Sequence, residues 1–280
     1  MEGQGQFRGP VRAVIFDWAG TTVDYGSRAP VAAFTELFRR QGVTVTEEEA
    51  RRPMGAHKKE HIRQMLAMES VANRWRQVHG AQPSPDDLES LYGEFIPLQT
   101  EAIKLHADVI PRTLETVRIL RECGIKIGST TGYTREMMAP LLEASAQGGY
   151  SPDSVVCADE VPAGRPAPWM ALQSAMRLGV YPVSACVKVG DTVADIAEGL
   201  NAGMWTVGIT KTGNELGLSQ AEVEALPGGE LANRLATASE RLLEAGAHYT
   251  IEGLAELPAV IDAINRRLSG VRHSETASLG

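Results

Sequence analysis

Several polar residues in this chain follow short apolar runs, and their types can do chemistry together. Asp17 closes the run Val11-Arg-Ala-Val-Ile-Phe, and Gly20-Thr21-Thr22 follow directly. Thr131 closes a second run that begins at Ile125. Asp159 follows a third, from Ser154, and Asp191 a fourth, from Ala185. Asp195, four residues beyond Asp191, falls on the same face of a helix. Hard oxygen donors of this kind suit Mg²⁺, which binds few carboxylates and keeps several waters. Asp17 and Asp191 are the candidate direct ligands, with Asp195 holding a metal-bound water. A carboxylate beside such an ion can also attack phosphorus while the metal neutralises the oxyanions. Arg165 is a cation available to an anionic group. The plainer reading of Asp191 and Asp195 is a solvated helix N-terminus; the strand-ending Asp17 counts against it.

A second constellation is Pro53-Met54-Gly55-Ala56-His57-Lys58-Lys59-Glu60-His61. A lysine amine can condense with a carbonyl to give an imine, which draws electrons from the neighbouring carbon. Lys58 and Lys59 both fall beside the apolar stripe Ile62, Met65 and Leu66, so periodicity does not choose between them, and an exposed helix face remains the plain alternative. His57 and His61 have the i, i+4 spacing of a metal pair but lack a third ligand. Position 19, two residues after Asp17, is alanine. Ala19 has no proton to give an alkoxide leaving group, so its backbone carbonyl is all it could offer, as a metal ligand.

The elements that must position these groups change character along the chain. Between about Asp24 and His106 the pattern reads as successive helices. Pro30 opens one that Gly42 closes, Thr46 to Glu49 has the form of a capping box, and another spans about His57 to Met68. Ser84-Pro85 starts a further helix, which Pro97 is expected to kink or end. From Pro111 helices alternate with strands at Ile125–Thr131, Ser154–Ala158, Ala185–Gly190, Trp205–Thr210 and His248–Ile251. That alternation predicts an α/β fold, a doubly wound parallel sheet of Rossmann-like form. The helical block reads as a cap, residues 24–106, inserted into a catalytic core of residues 1–23 and 107–280. In such sheets ligands bind outside the carboxyl ends of the strands, where these polar residues fall.

Composition bounds the partners. The 280 residues are 43% hydrophobic and 22% charged, as in an ordinary soluble domain. The net charge of −8 argues against a nucleic-acid or anionic-membrane surface. No apolar run has the length of a bilayer span. Cys123, Cys157 and Cys186 are odd in number and lack metal spacing, so core thiols in a reducing cytoplasm are expected. No GxGxxG follows a strand, and Gly208 to Gly213 has phosphate-loop spacing but continues as Asn214-Glu215. The tail from Arg272 to Gly280 is polar and expected to fray.

Taken in order, Phe16-Asp17 with Gly20-Thr21-Thr22, Thr131, Arg165-Pro166 and Gly190-Asp191-Thr192-Val-Ala-Asp195 resemble the motifs of the haloacid dehalogenase superfamily. Longer stretches resemble its phosphonatase family: Asp17-Trp-Ala-Gly-Thr-Thr-Val-Asp24-Tyr, Met54-Gly-x-x-Lys58-x-x-His61, Gly128-Ser-Thr-Thr-Gly-Tyr-Thr-Arg-Glu-Met and Val161-Pro-Ala-Gly-Arg165-Pro. The resemblance implies hydrolysis of the P–C bond of phosphonoacetaldehyde to acetaldehyde and phosphate. It makes Asp17 the nucleophile, Lys58 the Schiff-base residue and His61 a partner in proton transfer. Met54, Gly55, Thr131, Gly132, Tyr133 and Arg165 would bind the substrate, and Asp17, Ala19, Asp191 and Asp195 would form the Mg²⁺ site. It further implies a small phosphonate as the partner, no nucleic acid or membrane, and a homodimer. The enzyme alternatives are a Mg²⁺-dependent phosphatase or phosphomutase, against which Ala19 counts, and a dehalogenase, which needs neither metal pair nor lysine. A phospho-accepting regulatory module is the non-enzyme alternative, but such modules lack an inserted helical block.

Overall fold

Unbroken apolar character suits a strand covered on both faces, and β1 (Ala13–Phe16) lies fully buried near the middle of a six-stranded parallel sheet. The computed structural model describes residues 7–270; the tail expected to fray lies outside them. After β1 come five helices, α1 (Arg28–Arg40), α2 (Glu47–Arg51), α3 (Lys58–Ala67), α4 (Glu69–His79) and α5 (Pro85–Leu105). Helix and strand then alternate through α6 (Thr113–Glu122), β2 (Lys126–Thr131), α7 (Arg135–Gln147), β3 (Ser154–Cys157) and α8 (Trp169–Arg177). The second half adds β4 (Cys186–Gly190), α9 (Val193–Asn201), β5 (Trp205–Ile209), α10 (Gln220–Ala225), α11 (Gly228–Glu244), β6 (Tyr249–Ile251) and α12 (Leu257–Leu268). The strand order β3-β2-β1-β4-β5-β6 is doubly wound, with its switch point between β1 and β4. Phe16 stands opposite Ser129 of β2 and Val189 of β4, so the carboxyl ends of all three open at one level.

The helical block leaves and rejoins the sheet through two paired linkers. Val23 bridges Val109 antiparallel, the Asp24 N–H donates to the Asp108 carbonyl (3.1 Å), and the Ile110 N–H donates to that of Thr22 (2.9 Å). Asp24 then starts α1, its carboxylate accepting from the N–H groups of Arg28 and Ala29, each at 2.9 Å. Capping boxes at Thr46 and Ser84 start α2 and α5 as their sequences predict. Inside the block α1 packs along α5, and Phe34 lies between the rings of Phe95 and His61, with centroids 4.5 and 3.8 Å away.

The structure departs from the sequence reading at three points. Pro97 neither ends α5 nor shortens it, for the helix continues to Leu105. Proline removes one helical hydrogen bond, while Leu91, Phe95, Gln99 and Ile103 remain buried on one face across it. The structure adds helices α4, α10, α11 and α12, which the sequence reading did not single out. Cys123 is exposed just past α6, whereas Cys157 and Cys186 are the core thiols expected.

The wholly buried Phe34 anchors the helical block. Phe34→Ala is expected to cost about 3–5 kcal/mol, read as a lower urea midpoint with an unchanged slope.

Candidate active site

The acidic residues meet because β1 and β4 are neighbours. The Asp17 N–H continues the ladder to the Val189 carbonyl (2.9 Å), and one carboxylate oxygen each of Asp17, Asp191 and Asp195 lies within 4.8 Å of the others. Asp191 accepts from Thr21 Oγ1 (3.3 Å) and from the Asn214 N–H (2.7 Å). Asp195, at the start of α9, accepts from Thr192 Oγ1 (2.6 Å) and Lys188 Nζ (2.7 Å), and Arg165 Nη2 is 3.2 Å away.

These surroundings divide the three acids. Burial, then repulsion from Asp195, pushes Asp17 up to about 6, with Arg165 opposing. Burial followed by repulsion from Asp17 and Asp195 raises Asp191 well above the carboxylate range. Burial also pushes Asp195 upward, but Arg165 and Lys188 outweigh it and hold the acid below its usual range. A divalent cation fits this donor set, because Asp191 has no cationic partner among the described residues and Asp17 shares Arg165 with Asp195 and Glu198. Asp195 already serves Lys188, Arg165 and Thr192 with both oxygens, which suits a residue acting through a water. Ala19 lines the same cavity.

Arg165 reaches this cluster from the loop before α8. Its Nη2 lies 2.7 Å from Asp17 Oδ1 and donates to the carbonyl and Oγ1 of Thr130, each at 2.9 Å. Nε donates to Glu198 Oε2 (2.8 Å). Thr131 ends β2, and its Oγ1 accepts from the Tyr133 N–H (3.2 Å). Two glycines allow the helical block to close on this rim. A Cβ at Gly132 would lie 2.6 Å from the Ala56 carbonyl oxygen, and one at Gly55 would lie 2.4 Å from Thr192 Oγ1.

That closure brings in Lys58, the first residue of α3. It is 3% exposed, with Nζ 4.9 Å from the Tyr133 ring and 5.6 Å from that of Phe34. Burial pushes its amine down to about 8; Arg165 adds to the effect, and Asp17 and Asp191 oppose it. Lys59 turns outward instead, pairing with Glu89 beside the Tyr92 ring. Burial thus distinguishes the two lysines that helical periodicity left alike.

Asp17, Lys58, Arg165 and Asp191 line one small cavity of about 20 Å³. Met54, Gly55, Thr131, Gly132 and Tyr133 complete most of its wall. His61 and Asp195 lie outside that lining. His61 is wholly buried, with Nε2 2.8 Å from the Ala50 carbonyl. A carbonyl only accepts, so Nε2 carries the proton and Nδ1 keeps a lone pair that has no partner. Burial, then the Lys58 charge, holds the imidazole neutral. Asp159, another strand-end acid, accepts from the Arg135 N–H (2.9 Å) and takes no part in the cavity.

Sequence reasoning missed Ser27, Pro30 and Thr192 in the wall, and Lys188, Glu198 and Asn214 behind it. Lys188 did leave a signal, a charge inside an apolar strand.

The profile of the haloacid dehalogenase-like hydrolases matches residues 11–203. The chain belongs to that family of hydrolases. Among its relatives, a phosphonoacetaldehyde hydrolase-like protein of Syntrophobacter fumaroxidans is 53% identical over 94% of this chain and 95% of its own. A phosphonoacetaldehyde hydrolase of the same organism is 50% identical over 94% and 95%. The crystal structure of a phosphonoacetaldehyde hydrolase-like protein from Oleispira antarctica superposes with a TM-score of 0.95 at 46% identity, covering 97% of this chain and 99% of that one.

Asp191 is the acid that a bound cation would relieve most. Asp191→Asn should therefore raise the melting temperature of the metal-stripped protein and abolish the rise that a divalent cation gives the wild type. Calorimetry with and without the cation reads both effects.

Proposed function

We propose that the chain hydrolyses the P–C bond of phosphonoacetaldehyde, releasing acetaldehyde and phosphate. The observation that carries this reading is the Lys58 amine and the Asp17 carboxylate lining one small cavity that Ala19 also lines. The relatives' names support the substrate.

Lys58 attacks the aldehyde as its free amine, and loss of water gives an imine. With that imine protonated at nitrogen, Asp17 attacks phosphorus, and the electron pair of the P–C bond passes to the iminium nitrogen, so the leaving group is a neutral enamine. No acid at position 19 is needed, because no alkoxide departs. Protonation of the enamine carbon and hydrolysis of the imine release acetaldehyde and restore Lys58. Water attacks the aspartyl phosphate and returns Asp17. Arg165 binds the phosphonate oxygens, with Thr131 and the loop through Gly132 beside it. Tyr133, Met54 and Gly55 enclose the aldehyde end. His61, one turn along α3 from Lys58, assists the proton transfers, its Nδ1 being a free acceptor. Mg²⁺, held by Asp17, Asp191 and the Ala19 carbonyl with Asp195 behind a water, would neutralise phosphoryl charge.

Residues 24–106 act as the cap and pivot at the paired linkers Val23–Asp24 and Asp108–Val109, admitting substrate before closure excludes water. The homodimer implied by the resemblance belongs to the same proposal. As that resemblance has it, the two copies meet through the cap. A cytoplasmic setting fits three unpaired cysteines; no helix among the described residues is long and apolar enough to cross a membrane.

Wild type with Mg²⁺ should release acetaldehyde and phosphate in equal amounts, and Lys58→Arg should release neither. Borohydride should trap the imine on wild type alone. Phosphate-ester hydrolysis without P–C cleavage would establish the phosphatase reading instead. The trapping rate should rise with pH through about 8, as the Lys58 ammonium loses its proton. A rate independent of pH over that range would remove Lys58 as the reacting amine.

A further inference from the structure

Behind the cavity lies a layer of fully buried charge that the reaction itself does not use. Glu198 on α9 and Lys188 on β4 are both 0% exposed. Glu198 Oε2 accepts from Arg165 Nε (2.8 Å) and Thr130 Oγ1 (3.1 Å), and Lys188 Nζ stands 3.5 Å away. The other oxygen, Oε1, has no partner. Thr130 Oγ1 thus closes a triangle, donating to Glu198 while accepting from Arg165 Nη2 at 2.9 Å. Close approach of α9 to the sheet makes this layer possible. A Cβ on the neighbouring Gly199 would lie 2.8 Å from the Cβ of Lys188.

A guanidinium has two edges, and this arrangement uses them differently. The Nε–Nη2 edge is saturated by Glu198, Thr130, Asp17 and Asp195. Nη1 has one distant contact, the Gly55 carbonyl at 3.5 Å. We infer that Glu198 is a positioning residue: by gripping Nε, with Thr130 as a brace, it fixes the plane of Arg165 and turns Nη1 to the phosphoryl oxygens of the ligand. A grip at Nε fixes the plane of a guanidinium, whereas an ammonium held by a carboxylate still turns about its Cε–Nζ bond.

The inference rests on the proposed role of Arg165 as the oxyanion clamp, and the test separates it from P–C chemistry by using inorganic phosphate as probe. Calorimetric titration of the Mg²⁺-loaded protein should show Glu198→Gln weakening phosphate binding about tenfold, the effect of disturbing one charge-assisted hydrogen bond. KM should rise more than kcat falls. In an Arg165→Lys background the same change should add little, because Glu198 acts through the guanidinium. Thr130→Val, which removes the brace and keeps the shape, should weaken phosphate binding in the same direction, and it serves also if Glu198→Gln fails to fold. Undiminished phosphate affinity in the variants, effects that simply add to that of Arg165→Lys, or a wild type that does not bind phosphate would each overturn the inference. Weakened phosphate binding in a protein that leaves phosphonoacetaldehyde intact would retain the positioning role and reject the proposed substrate.

Discussion

Four carboxylates buried at the carboxyl ends of β1 and β4 are the constraint on which the rest of this structure depends. Asp17, Asp191, Asp195 and Glu198 cannot all be ionised in a dry interior without compensation. The chain supplies Arg165 and Lys188 within the sheet layer and Lys58 from the helical block. Their distribution is uneven. Asp195 and Glu198 are held by Lys188 and Arg165, whereas Asp191 has two neutral donors and no ion pair among the described residues. Charge is thus neutralised at the back of the site, while Asp191 at the front has no cationic partner among the described residues.

Closure of the helical block is part of that electrostatic design. Lys58 is brought into the cavity by the N-terminus of α3, and the loop before it contacts the rim through Gly55 and Ala56. On the opposite side Arg51 of α2 donates to the carbonyls of Gly26 (2.9 Å) and Gly217 (2.8 Å), tying the block to the loop that also carries Asn214. Asn214 in turn donates to Asp191. One set of contacts therefore closes the block and orders an acid of the candidate cation site.

The sheet was readable because its strands are short, apolar and bounded by glycine or acid, and the strand-end residues followed from the topology. Lys58 and Lys59 could not be separated by periodicity, since both flank the same apolar stripe; the depth of the cavity separates them. Ser27 and Pro30 reach the wall because Asp24 and Ser27 adopt left-handed backbone conformations (φ 56° and 50°) that fold the linker inward, and no local pattern announces such a turn. Glu198 escaped notice for the opposite reason. It lies among residues that read as an ordinary helix, and its burial is set by a sheet assembled from distant sequence.

The same desolvation that raises Asp17 lowers Lys58. With Lys58 held at about 8, a usable fraction of its amine is neutral near neutral pH. An exposed lysine, with a pKa near 10.4, would have on the order of a thousandth of its amine free at neutral pH. A more deeply unpaired aspartate would hold its proton and lose its nucleophilicity. Arg165 tempers both extremes at once, opposing the rise at Asp17 and assisting the fall at Lys58. A single guanidinium between nucleophile and amine thus adjusts both groups in the direction that imine-assisted P–C cleavage requires.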